Sequence, residues 1–386
     1  MSRQNKIVAL ILAAGLSSRM GEFKPLLPIN GATVIESAVN CFRQAGIADI
    51  RVVVGHQAEQ LMPVLQSLGV RPVLNVNFAS GMFSSIMAGL QTFASAADGF
   101  FLLPGDMPLV KSCTLEKLMK AYFQTDCPII YPTFLGRRGH PPLISHRCFQ
   151  TLLSWQGSEN LRLLLQQFEQ DAYNVPVMDQ AILFDMDTPV DYEKLLRSTL
   201  SKNIPTVEEC EAIFAEYDVS QSIVRHGKAV ARVARQIAAQ LNEGDCYDLN
   251  IELIVAGSLL HDIAKGRPHH AEAGAIILDQ LGFPTVAKVV ASHMDLIQPN
   301  QAVIDEGVIV YIADKLIKEE SLIPIAQHFS ETKLRYIASE SALKAIEQRL
   351  KKTLIIQDKL EHDLGIPNLF AMVSSGEVRD RYDLSE

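Results

Sequence analysis

The segment from Leu10 to Leu26, LILAAGLSSRMGEFKPL, joins an apolar run to two glycines, an arginine and a lysine. Gly15 and Gly21 let the backbone approach a ligand closely, and exposed backbone N–H groups in such a loop favour anions. Arg19 and Lys24 add two full positive charges. The spacing fits neither GxxxxGK[ST] nor GxGxxG, because the lysine lies three residues after the second glycine and a proline follows it. The segment therefore predicts a phosphate-binding loop of another type.

Two carboxylates follow apolar runs further along the chain. Asp106 ends GFFLLPGD and Asp187 ends ILFDMD, so two strands of a parallel sheet would bring both side chains to one edge. Two carboxylates at one edge could hold a Mg²⁺ ion, a hard ion that prefers oxygen ligands, together with phosphate oxygens. In the alternative reading, Asp106 is a turn residue or caps a helix that starts at Ser112. Asp185 also competes with Asp187 for the second carboxylate position.

Four polar residues interrupt apolar helical patterns in the second half of the sequence: His226 in IVRHGKAVA, His261 and Asp262 in SLLHDIAKG, and Asp314 in IVYIADKLI. Neighbours on a helix diverge by about 100°. His261 and Asp262 therefore reach one metal only if it lies beside the helix end and other elements complete the site. A single polar residue of this kind is more often structural. The prediction of a metal site therefore depends on all four residues together. Mixed imidazole and carboxylate ligands suit Mn²⁺, Fe²⁺, Ni²⁺, Co²⁺ or Zn²⁺.

The order of elements predicts two different architectures. Up to about Asp187, short runs rich in Val, Ile and Leu alternate with amphipathic stretches, which indicates an α/β domain with a Rossmann-like, mostly parallel sheet. Beyond residue 200 the pattern is helical and predicts an all-α domain. The segment 197–206 contains Ser, Lys, Asn and Pro and predicts a short linker between domains at 1–200 and 207–386. The predicted strands are KIVALILA, DIRVVVG, RPVLNV, GFFLLPGD, CPIIYPT and ILFDMD.

Composition narrows the choice of partners. A chain of 386 residues with 48% hydrophobic content has the size of two domains. The net charge of −9 argues against a broad nucleic-acid surface, which is normally basic. The six cysteines lack CxxC spacing, so neither a zinc ribbon nor a disulfide framework is predicted. Without a signal peptide or a run of about 20 apolar residues, we expect a cytoplasmic protein that binds no membrane.

The loop segment LAAGLSSRMGEFKPLL resembles the signature of MobA-like nucleotidyltransferases, LAAGxSxRMGxxKxLL. The resemblance covers most of residues 5–198. NVNFASGMFSSIMAGL resembles the base-binding segment of that family, LLPGDMPLV its metal-binding strand end, GRRGHPPLIS its substrate-side loop and DMDTPVDYEKL its closing motif. The GMFSSI form and the DMDTPVDY ending are most similar to molybdenum cofactor cytidylyltransferases.

This resemblance implies a nucleotide, an acceptor and a set of site residues. The nucleotide is CTP or another NTP, the acceptor is the terminal phosphate of a molybdopterin-type cofactor, and a molybdenum hydroxylase apoenzyme is a possible recipient. Mg²⁺ is assigned to Asp106 and Asp187, while Arg19, Lys24 and Asp106 are assigned to catalysis. Ser84 and Ser85 also fit a simple helix-capping role. The implied nucleotide-binding residues are Leu12, Ala13, Ala14, Gly15, Arg19, Lys24, Gly81, Ser84 and Ser85.

The four polar residues of the helical half resemble the ligand set of the HD superfamily of metal-dependent phosphohydrolases, in the order His, His-Asp, Asp. His270 in HHAEAGA and His293 in SHMD match histidines that some members use for a second metal or for the substrate phosphate. Lys265 follows HDIA, as in many members, and is implied to be catalytic. A bound ion would lower the pKa of its water, so that hydroxide could attack a phosphorus ester.

The sequence therefore predicts a bifunctional protein, a nucleotidyltransferase joined to a phosphohydrolase of unspecified substrate. Two alternatives stay open. The acceptor of the transferase is a sugar or alcohol phosphate in one of them. In the other, the helical domain is a regulatory nucleotide-binding module without turnover.

Overall fold

The computed structural model describes residues 6–16, 19–155, 161–201, 203–244, 246–294 and 303–375. The chain divides into two compact units, residues 1–202 and 203–386. Within the described ranges, no helix has both the length and the apolar character needed to cross a bilayer.

The N-terminal unit is an α/β structure. Its strands are β1 Ile7–Ala13, β2 Pro28–Ile29, β3 Ala32–Thr33, β4 Asp49–Val54, β5 Arg71–Leu74, β6 Gly99–Pro104, β7 Ile129–Phe134, β8 Arg137–Arg138, β9 Leu143–Ser145 and β10 Tyr173–Pro176. Its helices are α1 Val34–Gln44, α2 Ala58–Ser67, α3 Met82–Gln91, α4 Ser112–Gln124, α5 Phe149–Ser154, α6 Leu161–Leu165 and α7 Pro189–Leu200.

The main sheet has the strand order β10-β7-β9-β6-β1-β4-β5, with β8 paired to β7. Strand β1 pairs in parallel with both β4 and β6. Its residues are almost continuously buried, as expected for a strand covered on both faces. Leu12 lies level with Val53 of β4 and Pro104 of β6. The loops that follow these three strands therefore leave the sheet at one edge. The predicted mostly parallel α/β class is confirmed.

The predicted strand ILFDMD is wrong. The segment contains a 3₁₀ turn, Gln180–Leu183, and then crosses the end of the sheet without pairing as a strand. Asp179 explains the turn, because its buried carboxylate accepts hydrogen bonds from the backbone N–H of Lys111 at 2.9 Å and of Ala181 at 3.2 Å. Strands β8, β9 and β10, which the sequence analysis missed, complete the main sheet instead. The antiparallel β9 is only three residues long, too short to show a period.

The C-terminal unit is helical apart from one short hairpin. Its helices are α8 Val207–Glu216, α9 Gln221–Glu243, α10 Ile251–Leu260, α11 His270–Gln280, α12 Pro284–Ser292, α13 Glu306–Leu316, α14 Ile325–Arg335, α15 Glu340–Leu364 and α16 Leu369–Ser375. The hairpin consists of β11 Ile317–Lys318 and β12 Ser321–Leu322. Every residue from Leu253 to Leu260 in α10 is buried, which makes α10 the central helix of the unit.

Helix α7 continues into the segment that was predicted as a linker, because it ends only at Leu200. The next helix, α8, begins after Thr206, whose side chain accepts a hydrogen bond from the backbone N–H of Glu209 at 3.1 Å. The domain boundaries at residues 200 and 207 stay a prediction.

Candidate functional site

A cleft of about 730 Å³ opens at the sheet edge where β1 and β6 end. Most of the predicted nucleotide-binding and metal-binding residues line it, but Arg19 and Ser84 do not. The predicted residues in its lining are Leu12, Ala13, Ala14, Gly15, Lys24, Gly81, Ser85, Asp106 and Asp187.

An ion-pair network joins the charged residues of this cleft. The Nζ atom of Lys24 lies 3.1 Å from Oδ2 of Asp106 and 2.8 Å from Oδ1 of Asp187. The guanidinium of Arg19 donates to the other carboxylate oxygen of Asp187 at 2.9 Å. The side chain of Lys24 is only 12% exposed, whereas that of Arg19 is 74% exposed. The two carboxylates thus converge on one buried ammonium group, although only Asp106 follows a strand.

The network fixes the charge states of two of its members. Burial lowers the pKa of Lys24, but the hydrogen bond to Asp187 and the charge of Asp106 outweigh it and raise the pKa above its ordinary value. The hydrogen bond from Lys24 in turn lowers the pKa of Asp187. At neutral pH the cleft therefore contains an ammonium group between carboxylates, an arrangement that a polyphosphate and a divalent cation could rearrange.

Local backbone structure explains how these side chains converge. Lys24 begins a 3₁₀ turn, Lys24–Leu26, and Asp106 follows β6 directly. A Cβ atom on Gly105 would lie 2.7 Å from the carbonyl oxygen of Leu12, so only glycine allows this approach of the two strand ends. Helix α4 has Lys111 as its N-cap, so Asp106 does not cap it. Asp185 also lines the cleft, but Asp187 makes the ion pairs.

The two predicted serines shape the turn before α3. The side-chain amide of Asn75 donates to Ser84 Oγ at 2.9 Å and to Ser85 Oγ at 3.0 Å. Ser84 Oγ also lies 2.8 Å from the carbonyl oxygen of Gly81, the N-cap of α3, which has φ +96°. Sequence reasoning missed Asn75, although its polar side chain follows β5 directly. The serines therefore stabilise the segment whose backbone borders the cleft, and only Ser85 lines it.

Another wall of the cleft is basic and belongs to the segment GRRGHPPLIS, which resembles the substrate-side loop of the family, although no single residue of it was assigned a role. Arg137, Arg138 and His140 line it, and Arg138 lies 4.2 Å from the ring centroid of Tyr131. Burial lowers the pKa of His140, so its imidazole is neutral. A Cβ atom on Gly139 would lie 2.3 Å from the carbonyl oxygen of Ile182, which explains the glycine in GRRGH. This wall suits an anionic second substrate.

In the C-terminal unit, the four predicted metal ligands come together from three helices. His226 belongs to α9, His261 and Asp262 directly follow α10, and Asp314 belongs to α13. His226 Nε2 lies 3.1 Å from Asp314 Oδ1. His261 Nε2 lies 3.4 Å from Asp262 Oδ2 and 3.5 Å from Asp314 Oδ1. All four side chains are at most 13% exposed.

Close contact between α9 and α10 makes this cluster possible. A Cβ atom on Gly227 would lie 2.7 Å from the carbonyl oxygen of Leu259. The glycine directly after His226 therefore lets the two helices cross tightly, beside the end of α10 where His261 lies. The sequence shows this glycine in RHGKA, but its packing role depends on a tertiary contact that no local pattern reveals.

Backbone carbonyl groups orient three imidazoles of the cluster. The Nδ1 atoms of His226, His261 and His293 lie 2.8, 2.7 and 2.6 Å from the carbonyl oxygens of Glu319, Ser258 and Val290. A carbonyl oxygen only accepts, so each Nδ1 carries the proton. Each Nε2 then faces the carboxylates, to which it can donate in the absence of a metal, as His226 does to Asp314. It would lose that proton and offer its lone pair to a bound ion, which is the usual arrangement of a metal-binding histidine.

A second group shares Asp262 with the first. His270 Nε2 lies 3.4 Å and His293 Nε2 3.8 Å from Asp262 Oδ1, while His226 and His261 face Oδ2 of the same carboxylate. In each group, possible ligand atoms of three residues lie within 4.8 Å of one another. Asp262 could thus bridge two ions. The remaining residue of the SHMD motif, Asp295, lies outside the described residues, and His269 is 81% exposed beside Glu272.

The donor set fits metal ions. The Nε2 atoms of His261 and His293 are buried, and neither has a hydrogen-bond partner among the described residues. Burial lowers the pKa of His293 to about 4, so its Nε2 lone pair is free to bind. Burial raises the pKa of Asp314, but the charge of Lys315 and the hydrogen bond from His226 hold it well below its usual range. Buried polar atoms without partners are costly, and coordination would remove that cost.

Lys265 lies on the solvent-exposed side of the cluster. Its ammonium group donates to Asp262 Oδ2 at 2.5 Å, and its side chain is 52% exposed. A cleft of about 840 Å³ covers the cluster and is lined by Lys265, His226, Asp262, His270, His293 and Asp314. The ligands therefore lie at the base of a space large enough for a small molecule.

Two regions of the chain match known protein families. Residues 9–172 match the MobA-like NTP transferase domain, and residues 223–318 match the HD domain. The chain combines a MobA-like NTP transferase domain with an HD domain. The predicted family resemblances are thereby confirmed.

Two relatives align with about half of this chain. The molybdenum cofactor cytidylyltransferase of Escherichia coli K12 is 29% identical over 187 residues, which cover 48% of this chain and 93% of the relative. The nicotine blue oxidoreductase of Paenarthrobacter nicotinovorans is 27% identical over 202 residues, covering 49% and 96%. Among solved structures, Rv0371c of Mycobacterium tuberculosis H37Rv shares 27% identity with a TM-score of 0.45 and covers 51% of this chain and 100% of that protein.

The family matches differ in how they cover the two sites. The MobA-like match includes Lys24 and Asp106 but ends before Asp187. The HD match contains all four predicted ligands and both additional histidines, and it ends before α14. Divalent metal ions are the common requirement of both families, which agrees with the carboxylate pair of one site and the imidazole–carboxylate set of the other.

Proposed function

We propose that the MobA-like domain transfers the cytidylyl group of CTP to the terminal phosphate of a molybdopterin-type cofactor and releases pyrophosphate. The observation that carries the transferase chemistry is the convergence of Asp106 and Asp187 on Lys24, beside the loop that follows β1. The choice of CTP and of the acceptor is supported by the similarity to the cytidylyltransferase of E. coli.

In this proposal, Asp106 and Asp187 hold Mg²⁺, which neutralises triphosphate charge. Lys24 and Arg19 are released from the carboxylates and bind the departing pyrophosphate, where positive charge stabilises the transition state. The backbone of Ala14 and Gly15 borders the β and γ phosphates. The basic wall, with Arg137 and the neutral His140, binds the acceptor phosphate.

A transfer assay with molybdopterin-type cofactor, Mg²⁺ and CTP, GTP or ATP in parallel tests this function. We expect pyrophosphate release and a cytidylylated product with CTP. Release with none of the three nucleotides, while nucleotide still binds, would exclude this acceptor. A panel of sugar and alcohol phosphates would then test the alternative acceptor class. Transfer of the dinucleotide product to a molybdenum hydroxylase apoenzyme belongs to the same proposal and is checked by activation of that apoenzyme.

We also propose that the HD domain is a metal-dependent phosphohydrolase. His226, His261, Asp262 and Asp314 would hold one ion, and His270 and His293 would hold a second ion or the substrate phosphate. A bound ion supplies hydroxide at neutral pH by lowering the pKa of its water. Lys265, a half-exposed ammonium group beside Asp262, is placed to bind the phosphate under attack. The buried, unpartnered Nε2 atoms carry this proposal.

Hydrolysis of p-nitrophenyl phosphate by the full chain, with Mn²⁺, Fe²⁺, Ni²⁺, Co²⁺ or Zn²⁺ added after chelation, tests it. We expect turnover with at least one metal. The alternative is a regulatory module: in that case metal or nucleotide binds without turnover, and its addition changes the rate of nucleotidyl transfer.

A further inference from the structure

Helix α14 forms a wall of the HD cleft although it lies outside the residues that match the HD family. His328, Glu331, Arg335 and Tyr336 line the cleft together with the metal-ligand cluster. His328 and Arg335 are seven residues apart, so they project from one face of the helix. With a rise of about 1.5 Å per residue, they are separated by about 10 Å along the helix axis.

Charge pairing distinguishes Arg335 from the other cations of the cleft. Arg225 pairs with Glu320 at 2.6 Å, Lys265 pairs with Asp262, and Lys318 pairs with Glu331. Arg335 makes no ion pair with any residue that the structure describes. Two of the three glutamates in the cleft lining, Glu320 and Glu331, are partners in these ion pairs. The cation of this wall that has no ion pair among the described residues therefore lies at the C-terminal end of α14, where its charge also lowers the pKa of Glu331.

His328 connects this wall to the cluster. Its Nδ1 atom is buried, and no described residue provides a hydrogen-bond partner for it. Burial lowers the pKa of His328 to about 4, and the charges of Lys315 and Asp314 both act on it. The side chain is thus a neutral imidazole that lines the cleft close to Asp314 of α13.

We propose that α14 provides a second anion-binding subsite, in which Arg335 binds an anionic group of the substrate and His328 faces the segment between that group and the metal-bound phosphate. The substrate class is then a small molecule with a phosphate at one end and a second anion, phosphate or carboxylate, at the other. This inference rests on the proposed phosphohydrolase function, because the cluster has to bind the first phosphate.

Calorimetric binding to the Mn²⁺-loaded full chain tests the subsite with three probes. Fructose 1,6-bisphosphate has a second phosphate, 6-phosphogluconate has a carboxylate instead, and fructose 6-phosphate has neither. We expect at least one of the first two to bind about 10-fold or more tightly than fructose 6-phosphate, on the scale of one charge-assisted hydrogen bond. Comparing the two dianionic probes identifies which anion the subsite prefers.

Arg335→Ala should remove this preference and leave the affinity for fructose 6-phosphate within about twofold. Lys333→Ala is the matched control, since it removes a cation of α14 that pairs with Glu347 and does not line the cleft. Equal binding of all three probes, or a preference that survives Arg335→Ala, would overturn the inference.

Hydrolysis of p-nitrophenyl phosphate in the same samples separates this result from the parent proposal. Turnover without selectivity for dianionic probes would reject the subsite and keep the phosphohydrolase. Selective binding that depends on Arg335, without turnover, would reject the phosphohydrolase and keep the subsite.

Discussion

The two candidate sites differ in the groups that surround their clustered carboxylates. In the transferase cleft, Lys24 and Arg19 already neutralise the carboxylates of Asp106 and Asp187. In the HD cluster, imidazole Nε2 atoms with backbone-fixed tautomers face the carboxylates, and two of them are buried without partners in the described residues. Lysines also pair with the carboxylates of the second site, so the difference between the sites lies in the two buried imidazole nitrogens.

This difference indicates when each metal should bind. An ion in the transferase cleft has to displace an ammonium group, which is favourable only when a polyphosphate takes up that ammonium. An ion in the HD cluster competes with Lys265 and Lys315 for the carboxylates, but it also satisfies two imidazole nitrogens that have no partner among the described residues. We therefore expect Mg²⁺ to bind the first site together with the nucleotide, and a transition metal to remain bound to the second through purification.

Asp262→Ala should have the largest effect, because this carboxylate belongs to both ligand groups. We expect loss of both metal ions and a decrease of roughly 10³-fold or more in p-nitrophenyl phosphate hydrolysis, the scale of a lost metal-activated nucleophile. Metal content by mass spectrometry and steady-state rates measure the two effects. Asp279→Ala, at an exposed position of α11, is the control. Full metal content in Asp262→Ala would contradict the assignment.

Asp106→Asn keeps the shape of the side chain and removes its charge. We expect nucleotidyl transfer to fall by about 10²- to 10³-fold, on the scale of other lost electrostatic groups in active sites, with unchanged thermal unfolding. Hydrolysis by the HD site should be unaffected. Asp171→Asn replaces an exposed aspartate of the same unit and should change neither activity. If Asp106→Asn retained nucleotidyl transfer, the assignment of Asp106 as a Mg²⁺ ligand would be wrong.

Lys24→Ala tests whether the ammonium group acts on the triphosphate. We expect transfer to fall by about 10²-fold, because positive charge on the departing pyrophosphate is lost. Mg²⁺ should now bind without nucleotide, since the carboxylates lose their internal cation. Titration calorimetry with Mg²⁺ alone measures this gain. Lys120→Ala, exposed on α4, should leave Mg²⁺ binding as in the unmodified chain. Unchanged Mg²⁺ binding in Lys24→Ala would contradict the expectation that Lys24 keeps Mg²⁺ out of this site when no nucleotide is bound.

His293→Ala should separate the two metal positions of the HD cluster. Only the group with Asp262 and His270 loses a ligand, so we expect metal content to fall from two ions per chain to one. His269→Ala, which removes an exposed histidine, should keep both. If the unmodified chain binds a single ion, and His293→Ala still binds it while losing affinity for inorganic phosphate, His293 binds the substrate phosphate instead.

Thr188→Ala should have the smallest effect. Thr188 is the N-cap of α7 and forms a reciprocal capping box with Asp191, directly after Asp187. We expect a loss of about 1 kcal/mol in the free energy of unfolding and a modest decrease in transfer. Thr206→Ala removes the equivalent cap of α8 in the other unit and should leave transfer unchanged. Denaturant unfolding of both variants provides the comparison.

Sequence patterns predicted the elements that have a long period or a strong motif. The strands KIVALILA and GFFLLPGD and the helical second half follow from local composition, and the resemblance to the HD superfamily supplied the four HD residues. The brief antiparallel β9 and the crossing segment around Asp187 do not, because three-residue strands and turns fixed by buried carboxylates such as Asp179 depend on tertiary partners. The closing motif of the family nevertheless selected Asp187 as the second carboxylate, in preference to Asp185.

The sites themselves were only partly predictable. The motifs identified Lys24, Asp106 and the cluster residues, but not the ammonium group between the carboxylates or the division of Asp262 between two groups. Asn75 and Gly227 were missed as well. Each matters because of a tertiary contact. Asn75 donates hydrogen bonds to the serines of α3, and Gly227 lies against the backbone of α10.

The histidines of the HD cluster are oriented by peptide carbonyl groups, and this limits how the site could evolve. In many metalloenzymes a second layer of carboxylate side chains tunes the metal, so single substitutions can adjust affinity gradually. Here the orienting groups of His226, His261 and His293 belong to the main chain, which no point mutation removes. Gradual adjustment would have to come from neighbours such as Lys265 and Lys315, whose charges compete with the metal for the same carboxylates. In related proteins that bind a different metal, we therefore expect these lysines to be substituted before the metal ligands.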